Sequence, residues 1–366
     1  MLPITRPTLL LDKNKCLTNI KRIVDKAKKS KVAYRPHFKT HQSHQIGQWF
    51  REFGIEKCTV SSLQMAKYFA EGGWRDITVA FPLNFLEYKL IDQLAASVKL
   101  NLTVCVPGTI TKLSSLIQNR VNIFIEVDTG YHRTGVKPDA IETIDEILKE
   151  VDLSNKFLFA GFLSHAGHTY KTESIAEIAK IHFDEVNKLN LLKQRYISRY
   201  PELVLSIGDT PTASVLDEFE DIDEVRAGNL VFYDLTQRKI GSCGVEDIAV
   251  ALVCPVVATY PERGEVVIYG GGVHFSKDAI QIEGGQISYG SVVKLNDKGW
   301  QLPETNMYVK SLSQEHGIIA APVDDIENIK PGDLLAVLPV HSCLMAESMG
   351  SYTTLDGEVI SRLRTC

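Results

Sequence analysis

Four basic side chains stand at alternate positions near the amino terminus, at Arg35, His37, Lys39 and His41. Because successive side chains of an extended segment point to opposite faces, this spacing predicts one face that carries all four. A lysine that is partly desolvated beside other cationic groups has a lowered pKa and can attack a carbonyl to form an imine. Lys39 is therefore a candidate Schiff-base lysine. The alternative is a basic surface loop.

The segment LSIGDTPTAS, residues 205–214, has the features of a phosphate site. Thr210 fits a helix N-cap and Pro211 the first helical position, so free backbone N–H groups and the positive end of the helix dipole would point outward together after Gly208. Gly228 and Asn229 could supply the other half of the cradle. An ordinary capped helix is the alternative.

Two other segments end in polar residues. FIEVDTGYHRTG, residues 124–135, ends with Asp128, Gly130, Arg133 and Gly135, and GFLSHAGHTY, residues 161–170, ends with His165 and His168. A tight glycine turn held by an aspartate explains the first segment equally well. A lone histidine is usually structural, whereas two at one strand end favour a functional role.

A possible metal pair lies near the carboxyl terminus, in LPVHSCLMAES. His341 and Cys343 face the same way if the chain is extended, and an imidazole with a thiolate suits zinc. The remaining ligands would be water, substrate or a residue that the sequence does not identify. A small cysteine that is simply packed is the alternative.

Alternating apolar runs and amphipathic segments could position these groups. We predict strands at 32–38, 57–61, 76–81, 102–106, 121–127, 157–164, 203–207 and 224–232. The segments between them carry apolar residues at three- and four-residue spacing, which is typical of helices packed on a sheet. The pattern predicts an α/β fold, a (β/α)8 TIM-like barrel over residues 13–240, in which catalytic groups follow the strand ends.

The pattern after Gly241 is rich in strands. We predict strands at 248–260, 265–269, 292–295 and 334–338, and a hairpin turn at Asp356 and Gly357. These strands form an all-β domain, which we assign to residues 1–12 plus 241–366. The strand at residues 8–11 is expected to pair with it.

The composition limits the possible classes of protein. The chain has 366 residues, a formal charge of −5 and no long apolar run or signal peptide, so we expect a cytoplasmic protein that binds neither nucleic acid nor membrane. The seven cysteines form an odd, widely spaced set, mostly in apolar segments. This indicates reduced thiols and no disulfide framework.

Seven motifs together resemble those of the fold-type III pyridoxal phosphate (PLP) enzymes, whose barrel is the alanine racemase N-terminal type. In chain order they are RPTLLLD, RPHFKTH, VDTGYHRTG, HAGHTY, SIGDTPT, VRAGN and HSC. The likeness spans nearly the whole chain and is to the branch of D-serine dehydratase and D-threonine aldolase. The pair His341 and Cys343 is similar to the zinc pair of eukaryotic-type D-serine dehydratases, whereas the aldolases usually carry His-x-Asp with manganese or magnesium.

The resemblance implies roles for individual residues. Lys39 would form the Schiff base with PLP, and His165 would lie against the cofactor ring. Arg133 would lie near the phenolic oxygen and Arg226 at the pyridine nitrogen, which makes the ring a weaker electron sink. The phosphate would be held by Gly208, Asp209, Thr210, Gly228 and Asn229.

The implied reaction is β-elimination of D-serine, or of a related β-hydroxy D-amino acid, to pyruvate and ammonia. Lys39 would remove the α proton, and zinc on His341 and Cys343 would make hydroxide a better leaving group. The alternative is retro-aldol cleavage of D-threonine or a related substrate to glycine and an aldehyde. A D-amino acid racemase and a non-catalytic PLP carrier are further alternatives, and a homodimer is expected.

Overall fold

The computed structural model describes residues 2–296, 299–300 and 306–363, and its contacts divide the chain into two compact units. The barrel unit is Lys21–Gly228, and the β unit consists of Met1–Ile20 with Asn229–Cys366. The domain limits proposed from the sequence, at residues 12 and 240, stay a prediction, and their outermost residues 1 and 364–366 lie outside the described residues.

The strands follow in chain order. The first is β1 (Thr8–Leu11). The barrel unit holds β2 (Ala33–Tyr34), β3 (Lys57–Val60), β4 (Asp76–Pro82), β5 (Lys99–Val104), β6 (Val121–Glu126), β7 (Phe157–Leu163), β8 (Val204–Ile207) and β9 (Glu224–Val225). The β unit holds β10 (Val250–Tyr260), β11 (Glu265–Tyr269), β12 (Ile280–Gln281), β13 (Ile287–Ser288), β14 (Gly290–Val293), β15 (Leu295–Asn296), β16 (Gly299–Trp300), β17 (Tyr308–Leu312), β18 (His316–Ala320), β19 (Leu334–Pro339), β20 (Ser351–Thr354) and β21 (Val359–Ser361).

The helices are α1 (Lys13–Lys29), α2 (His44–Glu52), α3 (Leu63–Glu71), α4 (Tyr88–Ala95), α5 (Thr109–Ser114), α6 (Ile141–Asp152), α7 (Ile175–Tyr196), α8 (Thr210–Val215), α9 (Leu235–Lys239), α10 (Gly272–Phe275), α11 (Val323–Ile326) and α12 (Ser342–Met349). Their apolar spacing explains their packing. In α6 the buried residues Ile144, Ile147, Leu148 and Val151 recur at three- and four-residue intervals, so one face is covered.

The barrel unit contains an eight-stranded sheet in the order β2-β9-β8-β7-β6-β5-β4-β3, and every pair in it is parallel. A parallel bridge between His37 and Thr59 joins the two ends, which closes the sheet. The predicted α/β fold with a (β/α)8 barrel is confirmed. Its strand ends gather the loops that carry the candidate residues.

The first and last barrel strands are shorter than predicted. Regular pairing in the first stops at Tyr34, two residues before Pro36, which has no N–H to continue a ladder. The last stops at Val225, and Asn229 O then accepts the N–H of Phe232 in a 3-10 turn. Both segments therefore continue as loops and turns beyond the regular strand.

The β unit is built on a nine-stranded sheet in the order β11-β18-β17-β14-β19-β10-β1-β20-β21. Strand β1 pairs antiparallel with β10 and parallel with β20, which confirms the predicted pairing of residues 8–11. Strands β20 and β21 form the predicted hairpin, and Gly357 has the positive φ of 92° that its turn needs.

Six cysteines lie among the described residues, and all six are free thiols. Cys366 lies outside the described residues. Within the same part of the chain, no helix is both long and apolar enough to cross a bilayer.

Candidate active site

Basic groups from four strand ends converge in the barrel unit. Lys39 follows β2, Arg133 follows β6, His165 follows β7 and Arg226 follows β9. Burial is the main cause that lowers the pKa of His37 well below its usual value, and electrostatic interactions with these four groups lower it further. The barrel therefore brings together residues that are far apart in the sequence.

The prediction of one continuous basic face at Arg35, His37, Lys39 and His41 is wrong. The chain turns at residues 38–41 instead of staying extended. Arg35 is buried and donates through Nε to Glu224 Oε2 at 2.8 Å, and the ring of His41 packs edge-on against an aromatic ring. Lys39 is exposed. Only His37 and Lys39 take part in the basic cluster.

His165 is a buried, neutral imidazole. Its Nδ1 donates to the carbonyl oxygen of Gly208, which sets the tautomer. Burial is the main cause that lowers the pKa of His165 to about 3, and nearby cations add to the effect. The ring meets that of Tyr131 edge-on at 5.9 Å. A neutral ring held in this way is suited to pack against a flat ligand.

Arg226 is 3% exposed and makes few direct bonds. Its Nη2 donates to the carbonyl of Ser164, and its Nε has no hydrogen-bond partner. Burial lowers the pKa of Arg226 to about 10, so the group stays cationic near neutral pH. A Cβ on Gly208 would lie 2.8 Å from Arg226 Nη1, so only glycine fits at that position without a shift.

A pair of buried carboxyl groups lies beside Arg226, and sequence reasoning missed one of them. Glu185, on α7, accepts a hydrogen bond from Ser164 Oγ at 2.6 Å. Burial raises the pKa of Glu185 and of Asp209. Glu185 lies in the middle of α7 between Asp184 and Val186, and this sequence does not distinguish it from an exposed helix glutamate. Its burial is evident only in the folded chain.

The N-cap of α8 is Asp209, and the prediction that Thr210 caps this helix is wrong by one residue. Asp209 Oδ1 accepts the N–H of Thr212 at 2.7 Å and the hydroxyl of Thr169 at 3.0 Å. A carboxylate is a better cap than a threonine hydroxyl. Thr210 is thereby left at the first helical position with its Oγ1 buried and without a partner.

Gly228 passes close to the barrel's first loop. A Cβ on Gly228 would lie 2.3 Å from the carbonyl oxygen of His37, so no larger residue fits there without a backbone shift. The side chain of Asn229, which is part of the β unit, is engaged there: its Nδ2 donates to Asp234 Oδ2 at 2.9 Å and to Ser342 Oγ at 3.0 Å. Only the backbone of Asn229 is left for the predicted phosphate role.

The loop after β6 is a glycine turn held by an aspartate, which was the alternative considered for it. Asp128 Oδ1 accepts the N–H groups of Gly130 at 3.0 Å and of His132 at 2.9 Å. The turn presents Arg133, an exposed residue whose guanidinium lies 5.1 Å from the ring centre of Tyr131. His168 stacks on the same ring.

His341 and Cys343 belong to the β unit, and the segment is extended at His341, as the sequence interpretation supposed, but not at Cys343. His341 is the N-cap residue of α12, and Cys343 is the second residue of that helix. His341 Nδ1 lies 3.3 Å from Asp234 Oδ2. Burial alone would lower the pKa of His341, but the charges of Cys343 and Asp234 raise it to about 9. The described residues contain no group of three or more such ligands around one point.

Comparisons with known proteins agree with this architecture. The family "Alanine racemase, N-terminal domain" matches residues 11–235, and the family "Putative serine dehydratase domain" matches residues 249–355. The chain is 29% identical over 389 residues to a D-serine dehydratase of Dictyostelium discoideum, with 97% of this chain and 95% of that protein covered.

Solved structures resemble the chain over its whole length. A D-threo-3-hydroxyaspartate dehydratase from Delftia sp. HT23 has 27% identity and a TM-score of 0.89, with 100% of this chain and 99% of that chain covered. A cysteine-to-alanine variant of a D-threo-3-hydroxyaspartate dehydratase, solved in the metal-free form, has 26% identity, a TM-score of 0.91 and the same coverage. The chain therefore belongs to the alanine racemase N-terminal domain family, the barrel family of the fold-type III PLP enzymes.

Proposed function

We propose that this protein is a PLP- and metal-dependent lyase that eliminates the β-hydroxyl of D-serine, giving pyruvate and ammonia. The observation that carries the proposal is the pair His341 and Cys343 in the β unit, with Asp234 beside His341, in a chain whose barrel gathers a lysine and two arginines. D-threo-3-hydroxyaspartate is a second candidate substrate, because a similar structure has that activity in its name.

The barrel unit fits PLP in its chemistry. Thr210 Oγ1 is a buried hydroxyl without a partner, and Arg226 Nε is a buried donor without one. A phosphate and a ring nitrogen are acceptors that would satisfy such groups. Gly208 and Gly228 leave room where a Cβ would collide with neighbouring atoms.

PLP, when bound, supplies an electron sink for the α-carbon of an amino acid. Lys39 would hold the aldehyde carbon and, once freed by the substrate amine, remove the α proton from Cα through Nζ. His165, kept neutral by burial, would pack against the ring and hold it in place. Arg133 would orient the phenolic oxygen. These assignments are those that the sequence motifs imply.

Arg226 would lie at the pyridine nitrogen, where a cation disfavours a proton on that nitrogen and so weakens the sink. The phosphate would lie on Gly208, Asp209, Thr210, Gly228 and the backbone of Asn229. With a weaker sink, removal of the α proton by Lys39 would depend more on stabilisation of the departing β-hydroxyl. The β-hydroxyl then needs a separate group that stabilises it as it leaves.

A divalent metal on His341 and Cys343 would supply that stabilisation as a Lewis acid toward the β-hydroxyl. Two protein ligands leave positions open for water or substrate, which is typical of catalytic metal sites. The soft thiolate of Cys343 favours zinc over manganese or magnesium. The metal-free state of a similar dehydratase in which a cysteine is replaced by alanine supports a cysteine ligand here.

Product identification tests the proposal. The purified holoenzyme is incubated with D-serine, L-serine, D-threo-3-hydroxyaspartate and D-threonine, and keto acids, ammonia, glycine and aldehydes are quantified. We expect pyruvate and ammonia in equal amounts from D-serine and none from L-serine. Glycine with an aldehyde from D-threonine, without pyruvate from D-serine, would establish the aldolase alternative. Racemised serine alone would establish a racemase, and no turnover a carrier.

The homodimer and the cytoplasmic location stay predictions. A molar mass twice the 40.8 kDa of the chain, measured by light scattering, would support the dimer.

A further inference from the structure

Asp234 accepts more hydrogen bonds than its place in the fold requires. It is fully buried and caps α9, with Oδ1 accepting the N–H of Gln237 at 3.0 Å. That bond alone accounts for an N-cap. Its second oxygen, Oδ2, also accepts the N–H of Ser342 at 3.0 Å and Asn229 Nδ2 at 2.9 Å, and His341 Nδ1 lies 3.3 Å from it.

The bond to His341 determines which ring nitrogen is available. A carboxylate can only accept, so the proton of a neutral His341 ring lies on Nδ1 and points at Asp234. Nε2 then carries a free lone pair. Histidines that bind metals are commonly oriented in this way by a carboxylate behind the ring, and the loss of that partner weakens metal binding.

Asn229 acts on the second candidate ligand. Its Nδ2 lies 3.5 Å from Cys343 Sγ, within hydrogen-bond distance for sulfur, while the same amide donates to Asp234. The contact to a carboxylate identifies this end of the amide as the donor, and its two N–H groups are shared among Asp234 Oδ2, Ser342 Oγ and the more distant sulfur. This contact helps to fix the position of the sulfur relative to the carboxylate of Asp234.

We propose that Asp234 and Asn229 are positioning residues that prepare His341 and Cys343 for a divalent metal ion. Asp234 fixes the orientation of the His341 ring so that Nε2 is available to the metal. Asn229 fixes the position of the Cys343 sulfur relative to the Asp234 carboxylate. This inference rests on the proposed metal role of the pair. Neither residue touches the metal, so their effect is on its affinity and on the geometry of its ligands.

The variant Asp234→Asn tests the first half of this inference. The amide has one oxygen where the carboxylate has two, so it cannot serve both the cap on Gln237 and the donors of Ser342, Asn229 and His341. With either orientation of the amide, His341 no longer faces a carboxylate that holds its proton on Nδ1 and leaves Nε2 for the metal. We expect metal affinity, measured by competition with a chromogenic chelator on PLP-loaded protein, to fall about 10- to 100-fold.

Two further variants make the test independent of folding. Asp234→Ser keeps a good N-cap oxygen but lacks the second oxygen, so it should lose metal affinity; its melting temperature is measured alongside, because the donors of Ser342 and Asn229 lose an acceptor, and affinity is compared at a temperature where the variant is folded. Asp333→Asn is the matched control, because Asp333 also caps a backbone N–H in the β unit, that of Lys330 at 2.8 Å. It should bind metal as the wild type does. Equal affinity of wild type, Asp234→Asn and Asp234→Ser would overturn the role of Asp234.

Cobalt loading tests the role of Asn229. Wild-type protein loaded with Co2+ should show a thiolate-to-cobalt charge-transfer band that Cys343→Ala lacks, and Asn229→Ala should shift or weaken the band. An unchanged band in Asn229→Ala would overturn its role. If wild-type protein shows no band and binds no metal, the proposed metal function fails. If it shows the band and the positioning variants behave as wild type, only this inference fails.

Discussion

The barrel unit and the β unit assemble their candidate groups in opposite ways. In the barrel unit, residues as distant as Lys39 and Arg226 are gathered by a regular frame of parallel strands. In the β unit the two candidate ligands, His341 and Cys343, are neighbours in the sequence, but the residues that hold them, Asn229 and Asp234, lie more than 100 positions earlier. A regular array of strands allows the sequence to predict which remote residues meet at the strand ends. A short local motif does not show which remote residues hold its side chains in place.

The substitution Lys39→Ala should have the largest effect and should separate the two units. Removing Nζ removes both the covalent hold on PLP and the proposed base, so we expect activity to fall by about three orders of magnitude or more. The visible absorption of the bound cofactor should disappear, while metal affinity should remain that of the wild type. Absorbance spectra and metal titrations measure the two effects.

Lys28→Ala, at an exposed lysine of the same unit, is the matched control and should retain cofactor and activity. A Lys39→Ala protein that keeps the cofactor absorption would contradict the assignment of Lys39. Simultaneous loss of metal and cofactor would instead show that the two sets of residues cannot be separated.

Glu185→Gln should have a smaller effect, visible in stability. Burial raises the pKa of Glu185 above the ordinary 4.5. The folded state then holds a proton that the unfolded state releases, so stability decreases as the pH rises from the unfolded pKa toward the folded one. Glutamine does not ionise, so the variant should be more stable than the wild type by at least about 1 kcal/mol at about pH 8, and by less at about pH 5.

Urea unfolding at the two pH values measures this difference. Glu177→Gln is the control, because Glu177 lies at the exposed start of the same helix. A difference between Glu185→Gln and wild type that does not grow with pH would show that Glu185 is ionised when folded. In that case the carboxyl beside Ser164 would be a fixed negative charge near Arg226, and the account of the barrel cluster would change.

Much of the fold was predictable from the sequence because its patterns are local and periodic. The eight strands, the pairing of β1 with the β unit and the turn at Gly357 were all predicted. The failures occurred where tertiary contacts override local pattern. Arg35 belongs to the same series of alternate positions as Lys39, but the guanidinium of Arg35 is buried and donates to Glu224. No pattern around residue 35 contains that information.

The candidate site shows the same limit. The order of the motifs was enough to nominate His165, Arg226 and the candidate metal ligands His341 and Cys343. It also assigned Asn229 to phosphate binding, but the side chain of Asn229 contacts Asp234 and Cys343 instead. Asp234 was missed altogether because an aspartate before a short helix is typical of an ordinary cap. Only the bonds to its second oxygen distinguish it.

Reversible metal removal tests the central claim most directly, namely that cofactor binding by the barrel unit and metal binding by the β unit are separate requirements for elimination. The holoenzyme is treated with chelator, and pyruvate formation from D-serine and cofactor absorbance are followed in the same sample. The account predicts that pyruvate formation stops, that the absorbance of bound PLP persists, and that added zinc restores activity. Undiminished pyruvate formation by protein shown to contain no metal would contradict it.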